Sequence, residues 1–152
     1  MGLQRDESSA GDVFRPYADT DLEDALDLWY RASLVAHPFL AEDFLREERG
    51  RLGELWLPSS DTTVCERDGR VVGFLSLVDN EVGGLFVDPD HHRSGIGRAL
   101  MDFARASRPY LELGVFEANT LGRDFYAAYG FVEVERRPEA QTGLVEVRLR
   151  LG

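Results

Sequence analysis

Residues 85–100 read Leu-Phe-Val-Asp-Pro-Asp-His-His-Arg-Ser-Gly-Ile-Gly-Arg-Ala-Leu, a β-rich stretch that passes through a glycine loop into a helical pattern. Gly95 and Gly97 let an anionic group come close to the backbone. The free N–H groups at the start of the following helix point outward, and the positive end of the helix dipole favours negative charge there. Such a segment is an anion cradle, and Arg93 and Arg98 flank it with donors suited to phosphate. Two common phosphate loops do not fit the spacing. A dinucleotide fingerprint needs a third glycine where Leu100 stands, and a mononucleotide loop closes on Gly-Lys-Ser/Thr, which this segment lacks. The plain alternative is a glycine turn that only caps a helix.

Metal and thiol chemistry have little to work with. His91 and His92 are adjacent, the third histidine, His37, is distant, and there is no helical His-x-x-x-His pair, so no metal site is expected. Cys65 is the only cysteine, which excludes an internal disulfide and reads as a small buried strand residue.

The elements that must position the cradle follow from periodicity. Residues 13–18 read as a strand, and Thr20-Asp21-Leu22-Glu23 fits a capping box that opens a helix. Leu22, Ala25, Leu26, Trp29 and Ala32 recur at helical spacing, His37-Pro38 breaks the pattern, and a second helix is expected over about residues 41–55. Residues 62–66 and 71–78 form a hairpin through Asp68-Gly69, and residues 82–87 form the strand before the loop. The next helix carries Ile96, Leu100, Phe103, Ala104 and Ser107 on one face. Leu111, Leu113 and Val115 alternate as a strand, residues 122–129 suit a short helix, and residues 131–136 and 145–151 complete the strands. The order β-α-α-β-β-β-α-β-α-β-β is an α/β (α+β) arrangement of about seven strands and about four helices.

Length and charge narrow the function. With 152 residues and 43% hydrophobic content, one domain over residues 12–152 is expected behind a polar leader at residues 1–11. The leader lacks the parts of a secretory signal, and Asp6 breaks the myristoylation pattern that Met1-Gly2 begins. No apolar run approaches the roughly 20 residues that cross a membrane. A soluble, cytoplasmic protein with no membrane partner is expected. The formal charge of -11 disfavours nucleic acid and favours a cationic acceptor.

The chain resembles the GNAT superfamily of N-acetyltransferases through two signatures. Val87-Asp88-Pro89 is followed by His92-Arg93-Ser94-Gly95-Ile96-Gly97, which is similar to the family's Gln/Arg-x-x-Gly-x-Gly/Ala after a strand ending in Val-x-Pro. Val115-x-x-x-Asn119, Phe125-Tyr126 and Gly130-Phe131 match the second. Together they span about residues 81–137, with two departures: His92 stands for the usual Gln or Arg, and Gly122 for the usual Ala. The resemblance implies a mixed, mostly antiparallel, splayed sheet and acetyl-CoA as co-substrate.

It also implies roles. Backbone groups of Leu85, Phe86 and Val87 would bond the pantetheine arm, and Arg93, Ser94, Gly95, Ile96, Gly97 and Arg98 would hold the diphosphate. Asn119 would contact the cofactor arm, with a strand-end turn residue as the alternative. Tyr126 matches the proton donor to the leaving thiolate, a core tyrosine being the other reading and Tyr129 the control. Family members use different residues or an ordered water as base; Glu81, at the start of the strand that leads to Leu85, is the first choice here, with Glu117 in reserve and an exposed strand-end glutamate as the alternative. His37 and Phe39 fall where the family places part of the acceptor site, a helix break at His37-Pro38 with Phe39 plugging the core being the equal alternative. Trp29 with residues 36–40 is similar to a bacterial subgroup of small GNAT enzymes, some of which modify protein lysines. The acceptor would be an amine of a small molecule, peptide N-terminus or protein lysine, and the assembly a monomer or homodimer. A domain that binds acyl-CoA as a sensor without turnover is the rival; retention of Tyr126 favours the enzyme.

Overall fold

The computed structural model describes residues 11–152, so the expected leader lies outside it apart from Gly11. Strand β1 (Asp12–Pro16) leads into helix α1 (Leu22–Ala36) through a tight turn at Asp19–Asp21. The reciprocal Thr20/Glu23 box is not what opens α1. Asp21 accepts the Ala18 N–H at 2.8 Å and is held from behind by Arg15 through two 2.8 Å bonds, so an ion pair does the work of a cap. Helix α2 (Glu42–Arg51) continues through a widened π turn at Leu52–Trp56 into a last turn at Leu57–Ser59. Pro58 has no N–H to return to the preceding turn, which accounts for the irregular geometry.

The strands β2 (Asp61–Arg67), β3 (Arg70–Val78), β4 (Glu81–Val87), β5 (Leu111–Phe116), β6 (Val132–Pro138) and β7 (Val145–Leu151) join β1 in one sheet of order β1-β2-β3-β4-β5-β7-β6. The turn between β2 and β3 takes Asp68 and Gly69 to φ 54° and 80°, the mirror-image geometry that Asp-Gly tolerates. Every neighbouring pair is antiparallel except β4 and β5, which run parallel and meet only at Glu81↔Glu112. Between Ser76↔Gly84 and Leu77↔Val82 the register slips, so Gly83 is an extra residue in β4. This bulge bends β4 away from β5 at the point where the two strands part.

Helices α3 (Ile96–Ser107) and α4 (Thr120–Tyr129) cover one face of the sheet, over a core that includes Leu75, Leu100, Met101, Leu113 and Val147. Helices α1 and α2 close the other face with Leu28, Trp29, Leu45, Val64 and Phe74. The expected face of α3 is corrected in one respect. Its buried stripe is centred on Leu100 and Ala104 with Met101 on one edge, which leaves Phe103 half exposed at the rim against Phe14, ring centroids 5.3 Å apart.

Asp88 fixes the end of β4. Its N–H donates to Val72 O at 2.8 Å, and its buried carboxylate takes two bonds of 2.8 and 2.6 Å from Arg31 of α1 and one of 2.9 Å from the Asp90 N–H. The Arg31 hydrogen bonds hold the Asp88 carboxyl at about 2, against burial, from its ordinary value of 3.8. The stabilisation is therefore complete above pH about 4 and is lost as pH falls toward 2. Asp88→Ala should lower unfolding free energy by about 2–3 kcal/mol at pH 7 and flatten the acid dependence of urea denaturation between pH 4 and 2. An unchanged acid profile would show that the pair does not clamp α1 to the sheet.

Candidate active site

Where β4 leaves β5, a cavity of about 750 Å³ runs between the two strands, from the loop after β4 to the faces of α1 and α2. Backbone alternation decides what β4 offers it. Because Asp88 N–H faces β3, those of Phe86 and Gly84 face β3 as well, and the N–H and C=O groups of Leu85 and Val87 turn toward the gap. The Val87 carbonyl is already engaged there by His92 Nε2 at 3.0 Å. Leu85, Phe86 and Val87 all line the cavity.

The loop forms the concave end. Arg93 and Gly95 both adopt left-handed backbone, φ 64° and 86°, which curls successive N–H groups around one point at the start of α3. Arg93, Gly95, Ile96, Gly97 and Arg98 line this end. Ser94 does not; its hydroxyl closes back on the His91 carbonyl. Arg98 stacks over the Tyr129 ring at 5.2 Å, so its charge is held beside the loop. Ile96 packs under Gly73, whose missing Cβ would lie 2.9 Å from the Ile96 side chain, and this contact seats α3 on the sheet.

Tyr126 and Tyr129 separate cleanly. Tyr126 lines the cavity with its ring wedged between Phe125 and Phe131, and burial pushes its hydroxyl up to about 12, so it is a protonated donor at neutral pH. Tyr129 lies outside the lining, bonded to Asp102 at 2.5 Å. Asn119 caps α4 by accepting the Gly122 N–H at 2.9 Å, and its Nδ2 donates to His37 Nε2 at 3.3 Å. A Cβ on Gly122 would stand 2.6 Å from that Nδ2, so the departure from alanine leaves room for the carboxamide. Burial drops the His37 imidazole to about 4, which keeps it neutral and able to accept this bond. Trp29 and His37 line the cavity; Phe39 does not, and instead backs His37 and Phe116 with ring separations of 5.6 and 5.5 Å.

The expected bases fall elsewhere. Glu81 sits at the root of the gap with both oxygens held by Arg148 at 2.7 Å, and it is not part of the lining. Glu117 is paired with Arg136 and is likewise outside. The carboxylates that do line the cavity are Glu48, Glu139 and Glu146, from three separate parts of the chain. Burial raises the Glu48 carboxyl, against Arg51 and with help from Glu139 and Glu47. Burial also pushes on Glu139, but bonds from Thr142 and Gln141 outweigh it and hold that carboxyl low. Pattern reading missed these three because only the fold brings them together. It also missed the bulge, although Gly83-Gly84 inside a strand is its ordinary sign.

A strand that parts from its neighbour above a glycine-arginine loop defines an acyl-CoA transferase architecture, and the acetyltransferase (GNAT) domain model matches residues 58–133. The chain belongs to the GNAT family of acetyltransferases. It is 31% identical to the peptidyl-lysine N-acetyltransferase YiaC of Escherichia coli, over 87% of this chain and 91% of that protein. It is 34% identical to the E. coli peptidyl-lysine N-acetyltransferase YjaB, over 72% of this chain and 74% of that one. The solution structure of apo YjaB superposes with a TM-score of 0.81 at 26% identity, covering 91% of this chain and 96% of YjaB. The PaiA N-acetyltransferase of Thermoplasma acidophilum, solved with coenzyme A, shares the fold with a TM-score of 0.73 at 17% identity, over 90% and 97% of the two chains.

Asn119→Ala should remove both the cap and the His37 contact. Thermal melts should report a loss of about 1 kcal/mol, and titration with CoA a weaker complex. A variant with wild-type melting and wild-type affinity would reduce Asn119 to a turn residue.

Proposed function

We propose that the protein transfers the acetyl group of acetyl-CoA to the ε-amine of a lysine in a protein or peptide. The observation that carries this reading is the open edge of β4 running from the anion loop to Tyr126 along one cavity. In it, the N–H groups turned around Arg93 to Arg98 take the diphosphate, and Leu85 and Val87 bond the amides of the pantetheine arm. A backbone N–H near the bulge polarises the thioester carbonyl. Tyr126 gives its proton to the departing thiolate. Trp29 and His37 form the acceptor wall, with Phe39 behind His37.

The lysine assignment draws support from YiaC and YjaB, both named as peptidyl-lysine acetyltransferases, and from the three carboxylates, Glu48, Glu139 and Glu146, that line the cavity. Transfer is direct. No cysteine lines the cavity, and Cys65 is fully buried with its thiol pushed up to about 12, so a covalent acetyl-cysteine has no site to form. A reduced, buried thiol and a highly charged donor molecule fit a cytoplasmic location.

The test is thiol release from acetyl-CoA across a panel of single-lysine peptides, free lysine and a polyamine. Turnover is expected with the peptides, and Tyr126→Phe should lower kcat by about 100-fold while CoA affinity stays within about threefold. CoA binding without turnover on any acceptor would replace the enzyme by a sensor, and unchanged kcat in the variant would return Tyr126 to a packing role.

A further inference from the structure

The acceptor reaches the enzyme as an ammonium ion and must lose a proton before it can attack. On the reading above, we propose that Glu146 takes that proton. The outward face of β7 carries a charge ladder. Arg150 meets Glu112 at 3.1 Å, and Arg148 holds Glu81 at 2.7 Å. The next outward residue, Glu146, stands opposite Phe116 rather than a cation. Its carboxylate leans diagonally across β5 and lies over Gly114, where a Cβ would be 2.3 Å from Oε2. Gly114 thus serves as the slot that admits a carboxylate from the neighbouring strand.

The two oxygens of Glu146 are in different states. Oε1 is met by Arg137 Nε at 3.3 Å, a long contact from a half-exposed guanidinium that also turns to Glu135 at 3.2 Å. Among the described residues, no donor bonds Oε2. The charged and titratable groups around it are Arg137 of β6, Arg148 of its own strand with Glu81 of β4 and Glu112 of β5, Glu139 after β6, Glu48 of α2 and His37 after α1. Arg148 feels the charge of Glu146 but gives its hydrogen bonds to Glu81, and His37 is neutral. Glu146 is therefore the carboxylate of this strand face that lines the cavity and keeps an oxygen free for an incoming ammonium.

The step balances as follows. The ammonium gives one proton to Glu146, which later releases it to solvent. The amine lone pair forms the C–N bond at the thioester carbon, and the C–S bond breaks with its electrons on sulfur. The thiolate takes the Tyr126 proton, and the second nitrogen proton restores the tyrosine. An ammonium and acetyl-CoA become an amide, CoA thiol and one proton.

The experiment compares wild type, Glu146→Gln and Glu146→Asp on the best acceptor of the panel, with CoA affinity followed by tryptophan fluorescence. Glu146→Gln should lose about 100-fold in kcat at pH 7 with CoA affinity and melting temperature unchanged. Glu146→Asp should recover part of the rate. A Gln variant within threefold of wild type, a loss that appears only as weaker CoA binding, or no recovery of rate in Glu146→Asp would overturn the assignment and leave the transfer reading standing. No turnover by wild type on any acceptor would remove the transfer reading, and this assignment with it.

Discussion

The parting of β4 from β5 is the constraint on which the remaining structure depends. Beyond Glu81↔Glu112 each strand presents backbone donors and acceptors that a closed sheet would satisfy internally. Keeping that edge open requires ties on every side. The Gly83 bulge turns β4 outward, and the Trp56 ring lies over it, 3.2 Å from where a Gly83 Cβ would stand. Arg31 on Asp88 fastens the far end of β4 to α1, while Arg148 on Glu81 fastens its root to β7. The opened edge then accepts what a strand would have supplied: a linear molecule with amide groups along it.

The same ties explain what could be read from the chain before its fold. Element order, the Asp68-Gly69 turn, the alternation of β5 and the anion loop all depend on residues close in sequence, and local chemistry settles them. The opening of α1 depends instead on Arg15 reaching Asp21, and the buried face of α3 on how the sheet twists beneath it. Glu81 illustrates the limit most clearly. Its residue type and its place on β4 both suit a base, but Arg148, 67 positions away, occupies both its oxygens. Glu146 carries no local mark at all in an alternating Val-Glu-Val-Arg strand; it becomes distinctive only when β5 places Gly114 beneath it. Which carboxylate is free is a property of cross-strand pairing, and pairing is not written in any short window.

The cavity is lined mainly by apolar side chains, and its charged residues come from different elements according to sign. Arg93 and Arg98 belong to the loop and the start of α3, while Glu48, Glu139 and Glu146 come from α2, the segment after β6, and β7. His37 and Tyr126 also line it, both uncharged at neutral pH because burial disfavours their ionised forms. In the proposed reaction this arrangement treats the two substrates differently. Donor and CoA product carry the same phosphates, so the loop holds both alike. The acceptor enters as a cation attracted to the carboxylates and leaves as a neutral amide, which no longer feels that attraction. Acetylation thus removes the charge by which the acceptor was drawn in, and the carboxylates of the lining favour exchange of product for fresh substrate.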